Sequence, residues 1–188
     1  FDVFGTAVGM LCMCRDVTVE RQLEKKIIYS ANTDQLTDLY NRRYFYEYMT
    51  RNKIMSKHVN LFYIDLDNFK KINDEYGHQA GDTVLVMVAK LLKQTFGAEF
   101  IARVGGDEFL AVVLGSKTDA ELAILAERFL SSLQQTIADN AKFAVLSASI
   151  GIAVSNALTD VDLLIRQSDS ALYEAKRNGK KQYKIYHK

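Results

Sequence analysis

Two carboxylates stand side by side in the run Arg103-Val104-Gly105-Gly106-Asp107-Glu108-Phe109. Apolar stretches flank it, Phe100-Ile101-Ala102 before and Phe109 to Leu114 after. A Gly-Gly pair between two such stretches predicts a tight β-hairpin turn, with both glycines at positive φ. Acids at that tip do nothing for folding; they point to a cation or a reacting phosphate. A third acid, Asp65, ends the apolar run Val59 to Ile64. If that run is a strand beside the hairpin, the acids crowd together. Each then raises its neighbours' pKa unless a cation sits between them. Mg²⁺ (or Mn²⁺) suits such a place, because Mg²⁺ takes one or two protein carboxylates and completes its shell with water and substrate phosphates. Two such ions, one activating an attacking oxygen and one stabilising a leaving pyrophosphate, are the apparatus of nucleotidyl transfer. A lone acid at a strand end is ordinarily a cap or a solvated group. Asp67 reads as a cap for a helix starting at Asn68.

The elements that must position these acids follow from periodicity. Val59 to Asp65 is apolar on both faces, which predicts a central strand. Helices are expected over 41–57, 68–75, 79–96, 119–137 and 159–177; the third carries Val84, Leu85, Val88, Leu91 and Leu92 on one stripe. Strands are expected at the two hairpin arms, over 143–154 and, as a closing edge, over 182–186. This order predicts an α/β (α+β) fold, a mixed five-stranded sheet flanked by helices in a ferredoxin-like arrangement. Upstream, residues 1–16 read as a single strand, whose sheet partners are expected to precede this segment. A charged helix follows, over roughly 17–33, with Val19, Leu23 and Ile27 at four-residue steps and Asp16 or Thr18 as its cap. It reads as a connector or short coiled-coil stalk.

Bulk properties exclude several classes. The chain has 188 residues, 25% charged and 48% hydrophobic, with a net charge of +1. That balance gives no electrostatic case for a nucleic-acid partner. The longest apolar run, Ala7 to Cys14, is too short to span a bilayer, so no direct membrane contact is expected of this segment. Cys12 and Cys14 have neither metal-knuckle nor redox spacing and read as reduced thiols, which fits a cytoplasmic setting with any membrane anchor upstream. Residue 1 is not Met, so the true N-terminus is expected outside this segment.

Four motifs then agree in order and spacing with one family. They are Asp34-Gln35-Leu36-Thr37-Asp38-Leu39-Tyr40-Asn41-Arg42-Arg43, Asp65-Leu66-Asp67-Asn68-Phe69-Lys70-Lys71-Ile72-Asn73-Asp74, Tyr76-Gly77-His78-Gln79-Ala80-Gly81-Asp82, and Arg103 to Phe109. Ser149 to Ala153 and Ala171 to Lys176 add two more. Over residues 33 to about 186 the chain resembles the GGDEF-domain diguanylate cyclases. That resemblance implies a nucleotidyl-cyclase palm in which two GTP molecules condense to cyclic di-GMP and two pyrophosphates. It implies Mg²⁺ held by Asp65, Asp107 and the carbonyl of Leu66, with Asp107 also the base for the 3′-hydroxyl. Glu108 would support the metal site and Lys70 would neutralise charge on the phosphates. Gly105 and Gly106 would admit the α-phosphate, and Lys176 and Lys180 would grip the triphosphate tail. Asn73 and Asp82 would read the guanine edge, with His78 nearby. A carboxylate can accept from both N1–H and N2–H₂ of guanine, a donor pair adenine lacks. Plainer roles exist for several of these: helix caps for Asn73 and Asp82, a turn for His78, and helix-end cations for Lys176 and Lys180.

Ring closure needs two sites head to head, so the resemblance also implies a homodimer, aligned by an upstream sensor domain. Residues 1–16 resemble the end of a PAS sensor and 17–33 a signalling helix. One departure is visible. Many family members carry an Arg-X-X-Asp product-inhibition site before the hairpin, and here the aligned residues are Phe96-Gly97-Ala98-Glu99. The rival readings are a degenerate GGDEF domain that binds GTP or cyclic di-GMP to regulate a partner, another nucleotidyl cyclase or polymerase palm, and a dimerisation element without chemistry.

Overall fold

A computed structural model describes residues 4, 16, 18–51, 58–97, 100–138, 140–155 and 160–187. Residues 1–31 and 32–188 form two separate compact units. The first contributes α1 (Thr18–Asn32), which buries none of its residues. The Asp16 carboxylate accepts from the Thr18 backbone N–H at 2.9 Å, as the capping expectation required. The strand expected over 1–16 lies almost wholly outside the described residues.

The second unit is one mixed sheet. Its strands are β1 (Tyr40–Asn41), β2 (Val59–Asp67), β3 (Phe100–Arg103), β4 (Glu108–Leu114), β5 (Ser147–Val154) and β6 (Tyr183–Ile185), in the order β1-β3-β4-β2-β5-β6. β2 is central and antiparallel to both neighbours. The expected five strands are joined by a sixth, the two-residue β1, which pairs parallel with β3 at the edge. It is too short to leave a period-2 signal.

Side-chain alternation along β2 divides the core. Phe62, Ile64 and Leu66 face α3 (Phe69–Tyr76), α4 (His78–Phe96) and α5 (Asp119–Ile137). Val59, Leu61 and Tyr63 face α2 (Arg42–Arg51) and α6 (Val161–Arg177), with Phe45, Met49 and Leu164. The period-2 rule therefore places Asp65 and Asp67 on the α6 side. Across β5 the same side carries Ser147, Ser149 and Gly151, opposite Asp67, Asp65 and Tyr63.

Several boundaries and caps differ from expectation. Asp67 caps nothing: α3 is preceded by Asn68 at φ 63° with no side-chain cap bond. α2 ends at Arg51 within the described residues, and residues 52–57 lie outside them. β5 begins at Ser147, because Ala141–Phe143 winds into a 3₁₀ turn that seats Phe143 in the core. α6 opens at Asp160, whose carboxylate accepts from Leu163 N–H at 2.7 Å.

Gly151 is where β5 meets α6. A Cβ there would overlap the backbone of Ser168 and Leu172, which cannot yield as a flexible side chain could. Gly151→Ala is expected to lower stability by about 3 kcal/mol or prevent folding, read as the urea midpoint of unfolding.

Candidate active site

The acids meet because β2 and the β3–β4 hairpin are neighbours. Asp65 lies directly opposite Glu108 in the antiparallel ladder. One step on, the Leu66 N–H donates to the Asp107 carbonyl at 3.2 Å, stitching the end of β2 to the hairpin tip. The tip is not the tight Gly-Gly turn expected. It is a four-residue loop, Val104 to Asp107, closed by Val104 N–H to the Glu108 carbonyl at 3.0 Å. Neither Gly105 nor Gly106 has positive φ. A Cβ on Gly105 would meet the Glu108 carboxylate, the far end of a flexible side chain that can turn aside. Around Gly106 the space is open.

Arg103 braces this loop. Its Nε and Nη2 donate to the Gly106 carbonyl at 3.2 and 2.8 Å, and its Nη1 to both Asp34 oxygens at 3.1 and 3.2 Å. Partial burial pushes the Asp34 carboxyl up. Donors from Thr37 and the Arg103 charge outweigh that and hold it below the usual range. The sequence motifs contained Arg103 and Asp34 but gave no reason to join them across 69 positions.

A cleft of about 840 Å³ opens at the C-terminal end of β2, lined by Asp65, Leu66, Asp67, Asp107, Lys70, Lys176 and Lys180 among others. Lys176 Nζ lies 2.8 Å from Asp65 Oδ2, so this cation pairs with a carboxylate of the cleft. The Asp107 carboxyl is pushed up by burial and then by the charge of Asp65; Lys176 and Arg103 relieve this only in part. Glu108 is pushed up by the same two causes, in the same order, and accepts a hydrogen bond from Tyr63. It lines not the main cleft but a small cavity of about 60 Å³ with Arg42 and Tyr63. Among the described residues, no three His, Cys, Asp or Glu side chains are grouped to hold a metal. The available donor set is two carboxylates and a main-chain carbonyl. That suits an ion which keeps much of its own water, and the residual strain on Asp107 is what a divalent cation would remove.

The residues expected to read a base lie apart from the acids. Gly77 joins α3 to α4 at φ 83°, turning the helices back on each other. Gly81 has no side chain to displace the Asn73 amide, which occupies the space a Cβ would take. Asn73 is thus brought to the residue before Asp82. Asp82 itself lines a second cavity of about 630 Å³, with Leu36, Val86 and Met87. His78 is exposed at the start of α4 and lines none of these cavities. Phe96 is only 5% exposed and packs edge-on against Phe62 with centroids 5.0 Å apart; Ala98 and Glu99 lie outside the described residues.

The family model described as "Diguanylate cyclase, GGDEF domain" matches residues 31–182. The chain belongs to the GGDEF domain family. Signaling protein YkoW of Bacillus subtilis is 38% identical over 93% of this chain and 23% of its own length. A diguanylate cyclase of Vibrio cholerae is 36% identical, over 98% and 59% respectively. Cyclic di-GMP phosphodiesterase PdeR of Escherichia coli is 35% identical, over 95% and 28%. The GGDEF chain therefore spans between about a quarter and three fifths of these relatives. Among solved structures, the coiled coil and GGDEF domain of DgcB from Caulobacter crescentus, in complex with c-di-GMP, superposes with TM-score 0.82 at 25% identity. The match covers 90% of this chain and 93% of that one. The mixed sheet with flanking helices is the architecture of these GGDEF structures.

The strain on Asp107 has a measurable sign. A carboxyl whose folded pKa is raised costs stability above its ordinary value, 3.8, and nothing below it. Without divalent ions, Asp107→Asn should therefore melt higher than wild type at pH 7. The gain should vanish below pH ~4, read by calorimetry across that range.

Proposed function

We propose that this domain condenses two GTP molecules to cyclic di-GMP and two pyrophosphates, as the output of a longer sensor protein. The observation carrying this reading is the meeting of Asp65 and Asp107 in a cleft that also presents Lys70, Lys176 and Lys180, within an intact GGDEF motif. Asp107 takes the proton of a 3′-hydroxyl; its raised pKa makes it a better base than a solvated aspartate. The 3′ oxygen forms a bond to the α-phosphorus of the facing nucleotide, and the α–β phosphoanhydride bond breaks, releasing pyrophosphate. The same exchange in the opposed site closes the ring.

Lys70 and Lys180 bind the phosphates, and Lys176 turns to them when Asp65 finds another cation. Gly105 and Gly106 let the backbone approach the α-phosphate, and Glu108 supports the acid pair from the neighbouring strand. Asn73 and Asp82 select guanine, and His78 flanks them. Mg²⁺ or Mn²⁺, held by Asp65, Asp107 and the Leu66 carbonyl, supplies Lewis-acid stabilisation of phosphate charge when bound.

One domain holds one GTP, so catalysis needs a homodimer. The exposed Val19, Leu23 and Ile27 of α1 are a candidate seam, with the signalling helix over 17–33, the PAS-like remnant over 1–16 and the catalytic domain over 34–188. The reaction is placed in the cytoplasm; no described helix is long and apolar enough to cross a membrane. Phe96, buried where the family's inhibitory arginine would stand, supports weak product feedback. A second reading, a regulator that only binds GTP or cyclic di-GMP, draws support from relatives named as phosphodiesterases. The retained Asp65, Lys70 and Asp107 favour catalysis.

Incubation with GTP and Mg²⁺ followed by mass detection is expected to show cyclic di-GMP. Asp107→Ala should lower the rate roughly 10²–10⁴-fold. The rate per chain should fall on dilution, and added cyclic di-GMP should leave initial rates unchanged. A wild type that binds GTP yet forms no product at high protein concentration would favour the regulator.

A further inference from the structure

The neighbour of the two reactive acids has a task of its own. Asp67 ends β2 with 3% of its surface exposed, and a buried carboxylate must be satisfied by donors. Ser147 Oγ donates to its Oδ2 at 2.8 Å, and Ser149 Oγ to its Oδ1 and Oδ2 at 2.9 and 3.1 Å. A third donor comes from a distant segment, the backbone N–H of Lys181, 3.2 Å from Oδ2. With Ser147 and Lys181 on Oδ2, this carboxylate is turned away from the ligand role open to Asp65 and Asp107.

The segment it holds is strained. Gly179, Lys180 and Lys181 have φ of 109°, 61° and 52°, three successive residues in the left-handed region, two of them with side chains. Such a run persists only where its surroundings impose it. Asp67 holds the backbone of Lys181, and the next residue, Asn68, holds the side chain of Lys180: its Oδ1 accepts from Lys180 Nζ at 3.3 Å. Asn68 is itself left-handed at φ 63° and is tied by its Nδ2 to the Val145 carbonyl at 2.9 Å. The result is that Lys180 lines the cleft beside Lys70 and Lys176.

We propose that Asp67 is a positioning residue: it clamps the 179–181 loop so that Lys180 faces the triphosphate, and affinity for the phosphate tail depends on it. Ser147 and Ser149, opposite Asp67 and Asp65 in the β5 register, orient the clamp. The inference rests on the GTP reading above. A charged lysine alone on a loose loop would lose conformational freedom on binding; a pre-set one does not.

The test uses the whole chain with Mg²⁺ and two ligands, 3′-deoxy-GTP, which lacks the attacking hydroxyl, and GMP. Calorimetry gives the affinity ratio between them, which isolates the phosphate tail from base recognition. Asp67→Ala is expected to cut that ratio roughly tenfold while leaving GMP affinity unchanged, and Lys180→Ala is expected to do the same. The double variant should be no worse than Lys180→Ala alone. If Asp67→Ala does not fold, the near-isosteric Asp67→Asn carries the same test, with a smaller drop in the ratio. An unchanged ratio in the folded variant, an equal loss for both ligands, or an additive double variant would overturn the clamp alone. A wild type with no preference for 3′-deoxy-GTP over GMP would overturn both the clamp and the GTP reading.

Discussion

The partial burial of the Asp107 carboxyl beside Asp65 is the constraint around which the rest of the site is arranged. Folding places the end of β2 against the hairpin tip, joined by the Leu66–Asp107 backbone hydrogen bond. Burial and then the charge of Asp65 push the Asp107 carboxyl above its ordinary pKa. Two cationic side chains lessen this. Lys176 reaches Asp65 from α6, and Arg103 stands behind the loop, bridging to Asp34. Neither fully offsets the burial and the Asp65 charge, so the Asp107 carboxyl stays raised in an open cleft.

The sheet makes this arrangement possible through its alternation. Odd-numbered residues of β2 face α2 and α6, so Tyr63, Asp65 and Asp67 share one side with Ser147 and Ser149 of β5 and Glu108 of β4. Three carboxylates on one side of a sheet meet three fates. Asp65 pairs with Lys176 at the cleft, Asp67 is sealed among hydroxyls and a backbone N–H, and Glu108 turns to Tyr63. Gly151 lets α6 pack closely enough for Lys176 to arrive. Stability and chemistry thus depend on the same close contact between β5 and α6.

Much of this was legible in the residue order. The two-sided apolar run of β2 predicted its central place, and the hairpin arms, α4 and α5 follow their periodicity. The acids, lysines and glycines of the cleft could be named because their motifs are local. What escaped was non-local. Asp67 reads as a helix cap by proximity to Asn68, yet its donors lie 80, 82 and 114 positions away. Gly-Gly reads as a positive-φ turn, but the loop is held by Arg103 and by the bond to Leu66, and neither glycine has positive φ. The two-residue β1 has no pattern to read. Phe143 looks like strand because it is apolar, whereas a 3₁₀ turn delivers it to the core equally well.

We propose that the acid pair holds a divalent cation. Carbon-13 NMR titration of the Asp107 carboxyl, with and without Mg²⁺, tests it most directly. The account predicts an apo midpoint above the ordinary aspartate value and a clear fall on adding Mg²⁺, lost in Asp65→Asn. A midpoint at or below the ordinary value without metal, or one that Mg²⁺ does not move, would contradict it.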